Sequence, residues 1–160
     1  MKRPDFYSKH VAARIPCVNV IAVAVVSVLV TSCAVVLVGP YDEVTDQAIT
    51  ELETKTEQFL VKMELGGGDY QSNKSFYRDA KASVRAIRLR AELYEKNEGE
   101  LRELDLLAQN FDNLAKLHRL GSLTGNAGSI ARTQIETNFQ SLIRIELAKK
   151  RSSGVSNKTS

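Results

Sequence analysis

The segment YRDAKASVRAIRLRAELY, Tyr77 to Tyr94, carries apolar side chains at alternating spacings of three and four residues. This spacing returns an apolar side chain to the same face at every helical turn, as in helices that pack lengthwise against neighbours. The segment therefore predicts a long amphipathic helix over about 72–95. Its apolar positions are Tyr77, Ala80, Val84, Ile87, Ala91 and Tyr94.

Three further segments show helical apolar spacing, over about 42–64, 98–119 and 130–151, and glycines cluster between them at 66–68 and 121–128. Helices of this length with short connections make antiparallel neighbours, so residues 40–151 predict an all-α, antiparallel up-down four-helix bundle. The predicted core faces are Val44, Ala48, Leu52, Phe59 and Met63; Leu101, Leu104, Leu107, Ala108, Phe111, Leu114, Ala115 and His118; and Ile135, Phe139, Leu142, Ile143 and Leu147.

Two patterns agree with this bundle. The net charges of the four segments alternate as −5, +3, −2 and +3, so sequential neighbours are complementary. Each segment also holds one phenylalanine, and their positions predict a cluster of Phe59, Phe76, Phe111 and Phe139 in one half of the core. Asn97 and Glu100 have the spacing of a capping box for the third helix.

Residues 1–39 combine a basic flank with an apolar run from Val18 to Val38. Val30-Thr31-Ser32-Cys33 has the form of a bacterial lipidation box, in which Cys33 becomes the acylated N-terminus after removal of a signal peptide. The run continues past Cys33, however, and its roughly 31 Å of helix matches the hydrocarbon core of a membrane. We favour lipidation of Cys33, and a retained transmembrane helix stays open as the alternative.

Charge placement predicts where the chain is located. Residues 1–32 carry a net charge of +3, and the remainder of the chain is neutral. Basic residues before an apolar segment keep the N-terminus in the cytoplasm, so the C-terminal domain is exported under both interpretations of Cys33. The expected location is the bacterial cell envelope, with the chain anchored in a membrane and the bundle on the periplasmic side. A neutral domain is not expected to bind nucleic acid.

The second helix also carries a basic stripe beside its apolar face. A membrane-tethered protein could use these side chains to contact anionic lipid headgroups or phosphorylated glycans. The simpler interpretation is that they pair with acids of the first helix, namely Asp46, Glu53, Glu57 and Glu64. The basic stripe consists of Lys74, Arg78, Lys81, Arg85 and Arg88.

The sequence contains no pattern that indicates catalysis, a metal or a cofactor. His118 is preceded three residues earlier by Ala115, so the Glu-x-x-His pairs of di-iron bundles are absent. We interpret His118 as a packing residue. The carboxylates fall mainly on predicted exposed faces, which leaves no buried pair for acid–base chemistry. We therefore expect a non-enzymatic protein. The Ser/Thr/Asn-rich residues 152–160 predict a disordered tail.

The order of segments resembles a group of small, uncharacterised bacterial envelope proteins classed as lipoproteins of unknown function. The segments are PYDEVTDQAITELETKTEQFL, FYRDAKASVRAIRLRAE, LRELDLLAQNFDNLAKLH and FQSLIRIELAKKR after a cysteine box, over roughly 33–151. The resemblance implies export and places Cys33 at the lipidated position. The apolar AVVLV after Cys33 departs from that group.

Together these patterns predict an envelope-anchored helical module that binds another envelope protein or serves a structural role. Its anchor would be the N-terminal lipid or a transmembrane helix. The alternative is a carrier or sensor that opens its bundle around a small apolar ligand. A cavity near the phenylalanines would favour that alternative, whereas a filled core would argue against it.

Overall fold

The computed structural model describes residues 38–121 and 123–156. They form α1 (Glu43–Glu64), a short 3-10 helix (Gln71–Asn73), α2 (Lys74–Ala91), α3 (Glu98–Leu120) and α4 (Asn126–Ser156), with no β-strand in these ranges. The all-α prediction is confirmed for this part of the chain. The predicted signal or anchor segment, including Cys33, lies almost wholly outside it. None of the described helices has both the length and the apolar character needed to cross a membrane.

The four helices form a bundle in which each helix packs against two others. Helices α1 and α3 each contact α2 and α4. Ion pairs join the start of one helix to the end of its neighbour: Arg90 of α2 binds Asp42, and Arg132 of α4 binds Glu64 of α1. We call the end where α1 and α3 begin the base. The opposite end, formed by residues 65–73 and the connection between α3 and α4, is the loop end.

The predicted core faces of α2 and α3 are confirmed over the residues that are helical in the structure. Tyr77 to Ala91 are buried at their predicted positions on α2, and Leu104, Phe111 and His118 are buried on α3. Helix α2 ends at Ala91 rather than near residue 95, and Lys96 has a φ of 63° in the connection that follows.

Helix α1 differs from the prediction because two threonines lie in the core while Val44 is exposed. Burial of a hydroxyl is costly unless it is hydrogen-bonded. Thr45 donates to a carboxylate oxygen of Asp42 at 2.7 Å, and Thr56 donates to the carbonyl of Leu52 at 2.7 Å. The buried face of α1 therefore starts one residue later than the apolar pattern indicates.

Aromatic rings fill the half of the core near the loop end. The rings of Phe59 and Phe76 stack with centroids 3.7 Å apart, and Phe111 meets Phe76 edge-on at 6.1 Å. Tyr77 packs edge-on against Phe59 at 5.4 Å. The predicted cluster is confirmed for these three phenylalanines. Phe139 is also buried, but its ring makes no such pairing among the described residues.

The last turns of α4 contradict two predictions. Leu147 is half exposed, and the buried positions after Leu142 are Glu146 and Lys149. These two residues continue the spacing of three and four, so the core face of α4 becomes charged near the base. The helix also runs to Ser156, which replaces the first five residues of the predicted disordered tail with helix. Residues 157–160 lie outside the described residues.

The predicted capping box at α3 does not form. Asn97 makes no side-chain bond to the start of α3 and instead donates from Nδ2 to the carbonyl of Ala91 at 3.0 Å. Glu100 is turned into the core, where it binds Lys149. Both side chains are taken by longer-range contacts that the local sequence spacing does not reveal.

Candidate functional site

The basic stripe of α2 faces α3 rather than the acids of α1. Lys81 binds Asp112 at 2.7 Å and Arg88 binds Asp105 at 2.7 Å, both on α3. The expected pairing with α1 is therefore wrong. The physical reason is that the stripe lies on the side of α2 that flanks α3.

The acids of α1 have other partners. Glu57 and Glu64 bind Arg132 on α4, with the Glu57 contact at 3.0 Å. Asp46 accepts a hydrogen bond from the hydroxyl of Tyr41 at 2.8 Å. This bond is the main cause that raises the pKa of Tyr41 to about 12. Asp46, Glu57 and Glu64 of α1 thus have partners outside the basic stripe of α2.

The stripe is neutralised unevenly along α2. Arg78 binds its neighbour Asp79 at 2.9 Å, and Arg88 is additionally paired with Glu92. Lys74 and Arg85 are exposed and have no acidic partner in residues 38–121 or 123–156. The unpaired charge at Lys74 lies in the first turn of α2, at the loop end.

A cleft at the loop end gathers part of this stripe with side chains from α3. Arg119, at the end of α3, donates from Nη2 to the hydroxyl of Tyr70 at 2.7 Å. Its guanidinium carbon also lies 4.5 Å from the centroid of the Tyr70 ring. We call this the α2–α3 cleft. It is lined by Tyr70, Lys74, Ser75, Tyr77, Arg78, Lys81, Asp112, Ala115 and Arg119.

His118 lies behind this cleft, buried between α2 and the loop that precedes it. Its Nε2 is 3.0 Å from the carbonyl oxygen of Gly68, and its Nδ1 is 2.8 Å from the hydroxyl of Tyr77. A carbonyl oxygen only accepts, so Nε2 carries the proton and Nδ1 accepts from Tyr77. Burial raises the pKa of the Tyr77 hydroxyl, which keeps it a donor. These contacts are those of a residue that fixes the loop.

A buried ionic cluster lies at the base of the bundle. Lys149 donates to Glu146 at 2.7 Å and also to Glu100, and the three side chains are at most 2% exposed. One oxygen of each carboxylate, Glu100 Oε1 and Glu146 Oε2, has no hydrogen-bond partner within the described part of the chain. Burial is the main cause that raises the pKa of Glu146. We call these three residues the base cluster.

The base cluster was missed by the sequence analysis, which placed the carboxylates on exposed faces. Burial of the cluster also limits what it can do, because side chains this enclosed offer a substrate no access. Buried pairs of this kind act on stability and on the alignment of helices. No group of His, Cys, Asp or Glu among the described residues is suited to a metal ion.

The chain N-terminal to α1 is fastened to the base. The amide of Gly39 donates to the carbonyl of Lys96 at 3.0 Å, and Arg90 donates from Nη2 to Asp42 at 2.9 Å. The hydrogen bond from Arg90 holds the pKa of Asp42 well below its usual range. Residues 38–42 are therefore part of the bundle and not a free linker.

The two ends of the bundle thus differ in chemistry. The base holds the buried ionic cluster and exposes Leu93 at 79%, whereas the loop end presents the basic cleft together with Leu65 and Leu120, which are 84% and 87% exposed. Comparison of the chain with protein-family models, with curated proteins and with solved structures found no significant match.

Proposed function

We propose that this protein is an exported, membrane-anchored module of the bacterial cell envelope that binds another macromolecule without catalysing a reaction. Its anchor is the N-terminal apolar segment, held either by a lipid on Cys33 or by a retained span. Its binding domain is an antiparallel up-down four-helix bundle. The basic flank and the apolar run of residues 1–39 support the anchor and the export.

The observation that carries this proposal is the difference between the two ends of the bundle. The amide of Gly39 is bonded to the base at 3.0 Å, so the chain enters the bundle at the base. The loop end lies about 33 Å away along a helix of this length. It carries the exposed Leu65 and Leu120 and the basic α2–α3 cleft. Exposed apolar groups next to charged ones are typical of interaction surfaces.

The proposed mechanism is that the anchor raises the local concentration of the bundle near its partners at the membrane. An anchored bundle meets membrane-associated partners at an effective concentration far above that of a free protein.

The packing of the phenylalanines favours this proposal over the alternative, a carrier or sensor that opens its bundle around a small apolar ligand. The rings of Phe59 and Phe76 stack at 3.7 Å, which leaves no gap between them for a ligand. The groove of about 490 Å³ that these rings also line is edged by the charged side chains of Lys55, Lys62 and Asp79, which do not suit an apolar ligand. A carrier would need those rings to separate, at the cost of the dispersion contacts that they make with each other.

Site-specific photocrosslinking in the native envelope tests the proposal. A photoreactive amino acid is placed at Leu120, 87% exposed at the loop end, and separately at Leu93, 79% exposed at the base. The matched exposure makes Leu93 a control for random collision. We expect a discrete crosslinked product from position 120 and none from position 93. Equal products from both positions, or none from either, would contradict a loop-end interaction surface.

A further inference from the structure

The α2–α3 cleft contains more positive charge than its surroundings neutralise. Four basic side chains line it, Lys74, Arg78, Lys81 and Arg119, against a single acid, Asp112. We infer that the α2–α3 cleft binds a phosphate group carried by a phosphomonoester. This inference deepens the proposed function, on which it rests for its setting, by naming the chemistry that the loop end recognises.

Two of the four cations are already used within the protein. Lys81 binds Asp112 at 2.7 Å, and Arg78 binds Asp79 at 2.9 Å. Lys74 and Arg119 have no acidic partner among the described residues. The cleft therefore has two uncompensated charges from two different helices, with Lys74 on α2 and Arg119 at the end of α3.

Arg119 is positioned by neutral groups that leave its charge free. The Tyr70 ring lies under the guanidinium at 4.5 Å, and the Tyr70 hydroxyl takes one N–H at 2.7 Å. Tyr70 in turn stacks on Tyr77 with centroids 5.4 Å apart, and Tyr77 is fixed by its bond to His118. A guanidinium ordered before binding loses less conformational entropy when it meets an anion.

The combined charge of Lys74 and Arg119 determines which kind of ligand fits the cleft. A phosphomonoester carries about −1.5 to −2 at neutral pH and offers three acceptor oxygens. A carboxylate carries one negative charge and would leave one of the two cations uncompensated. Guanidinium and ammonium groups are also the side chains that proteins use most for phosphate. The start of α2 adds the positive end of a helix dipole beside Lys74.

A titration of the full-length protein in neutral detergent micelles tests the inference. Inorganic phosphate and methyl phosphate are added at constant ionic strength, with acetate as the carboxylate control, and nitrogen–proton NMR shifts are followed. We expect saturable shifts at Arg119 and around Lys74 with both phosphates, and binding of acetate at least about fivefold weaker, as its lower charge requires. Acetate binding as tight as phosphate, or shifts that never saturate, would overturn the inference.

Matched variants separate the cleft from general surface charge. Lys74→Gln and Arg119→Gln are each expected to weaken phosphate binding by about fivefold or more, because each removes a charged donor. Arg85→Gln removes the same charge from an exposed, unpaired position of α2 outside the cleft. It should change the affinity by less than about twofold, since screening limits distant surface charges. An equal loss in all three variants would mean that only the net charge matters.

An experiment with lipid vesicles distinguishes a lipid headgroup from a soluble or glycan-borne ester as the source of the phosphate. Protein reconstituted in phosphatidylcholine vesicles is mixed with separate vesicles that contain phosphatidic acid, a lipid phosphomonoester. Bridging of the two populations that Arg119→Gln abolishes identifies a lipid headgroup as a source. Methyl phosphate binding without bridging identifies a soluble or glycan-borne ester. A failed titration beside a successful crosslink at Leu120 rejects the phosphate site and leaves the interaction surface standing.

Discussion

Lys149 lies 2.7 Å from Glu146 in the core at the base, where it also binds Glu100. The cluster joins the end of α4 to the start of α3. It holds one cation and two carboxylates, and one oxygen of each carboxylate has no partner in residues 38–121 or 123–156. Because two buried carboxylates share one cation, the stability of the protein depends on the charge of each of the three side chains. Substitutions in this cluster are therefore sensitive tests of the fold.

Replacing Lys149 by Met should destabilise the protein by about 3–5 kcal/mol, because it leaves Glu100 and Glu146 buried without a counter-ion. Urea unfolding followed by circular dichroism measures the loss. Lys150→Met is the control, since Lys150 is exposed and lies over the ring of Tyr41 at 5.2 Å. A Lys149→Met protein as stable as Lys150→Met would show that the cluster is not buried in solution.

Replacing Glu146 by Gln should change the dependence of stability on pH. Burial raises the pKa of Glu146 above its ordinary value of 4.5, so the native state holds this proton more tightly than the unfolded state. The contribution of Glu146 to stability is therefore greatest below pH about 4.5 and is lost as the pH rises through the native pKa. Glu146→Gln removes this loss, so its stability relative to wild type should increase as the pH rises from about 4.5 through the native pKa of Glu146, and should then stay constant.

The comparison for Glu146→Gln is Glu51→Gln, which changes an exposed acid that pairs with Lys55 at 3.7 Å. Unfolding free energies are measured at constant ionic strength across the same range. A pH profile of Glu146→Gln parallel to that of Glu51→Gln would contradict the assignment of the titration to Glu146.

Replacing Gly39 by Ala should loosen the fastening at the base. An added Cβ would lie 2.4 Å from Oδ1 of the buried Asn97 and 2.8 Å from the carbonyl oxygen of Glu95. Relief of that clash requires displacement of backbone, with an expected cost of about 1–3 kcal/mol. Gly99→Ala is the control, because nothing lies within 4 Å of its added Cβ.

Gly99 lies in α3, where alanine is the better helix former, so Gly99→Ala should stabilise the protein by about 0.5–1 kcal/mol. Thermal unfolding reports both substitutions. The two variants should shift the midpoint in opposite directions, and a shift in the same direction would rule out the close approach at Gly39.

Replacing Tyr77 by Phe should cost about 1–3 kcal/mol, since it leaves Nδ1 of the buried His118 without a donor. The rings keep their packing, so the loss reports the hydrogen bond. Tyr41→Phe removes a bond of the same 2.8 Å length, to Asp46 at the surface. It should cost clearly less, because water replaces the lost partner. Equal losses would mean that His118 is hydrated.

Intact mass of the membrane-extracted protein tests the anchor. We expect a mature species that begins at an acylated Cys33, and a Cys33→Ser variant that retains residues 1–32 without modification. An unmodified wild-type chain that keeps residues 1–32 would instead assign residues 18–38 to a retained span. Export of the bundle is expected in both cases.

Periodicity was sufficient to predict the helices and most of their buried faces, because apolar spacing reports directly which side of a helix faces a core. Helix geometry alone predicted the clustering of Phe59, Phe76 and Phe111, but it wrongly placed Phe139 in the same cluster. Burial of Thr45 and Thr56 was not predictable from hydropathy, since it depends on hydrogen bonds at 2.7 Å that satisfy their hydroxyls.

Which residues come together in the base cluster and in the α2–α3 cleft was harder to predict than the helices. Lys149 and Glu100 are far apart in sequence, and each taken alone has the character of an exposed charge. Only the packing of α4 on α3 brings them together. Arg119 was likewise outside the predicted stripe, because the stripe was read along one helix and the α2–α3 cleft takes residues from two.

The position of Lys149 near the C-terminus also constrains the order of folding. Glu100 enters the core at the start of α3, yet its cation is the hundred and forty-ninth of 160 residues. A chain that stops short of Lys149 would have to bury Glu100 alone or keep the base open. The base of the bundle therefore reaches its final closure only after the chain has been synthesised through Lys149, 49 residues beyond Glu100, and chains truncated before Lys149 are left with an open end that proteases can attack.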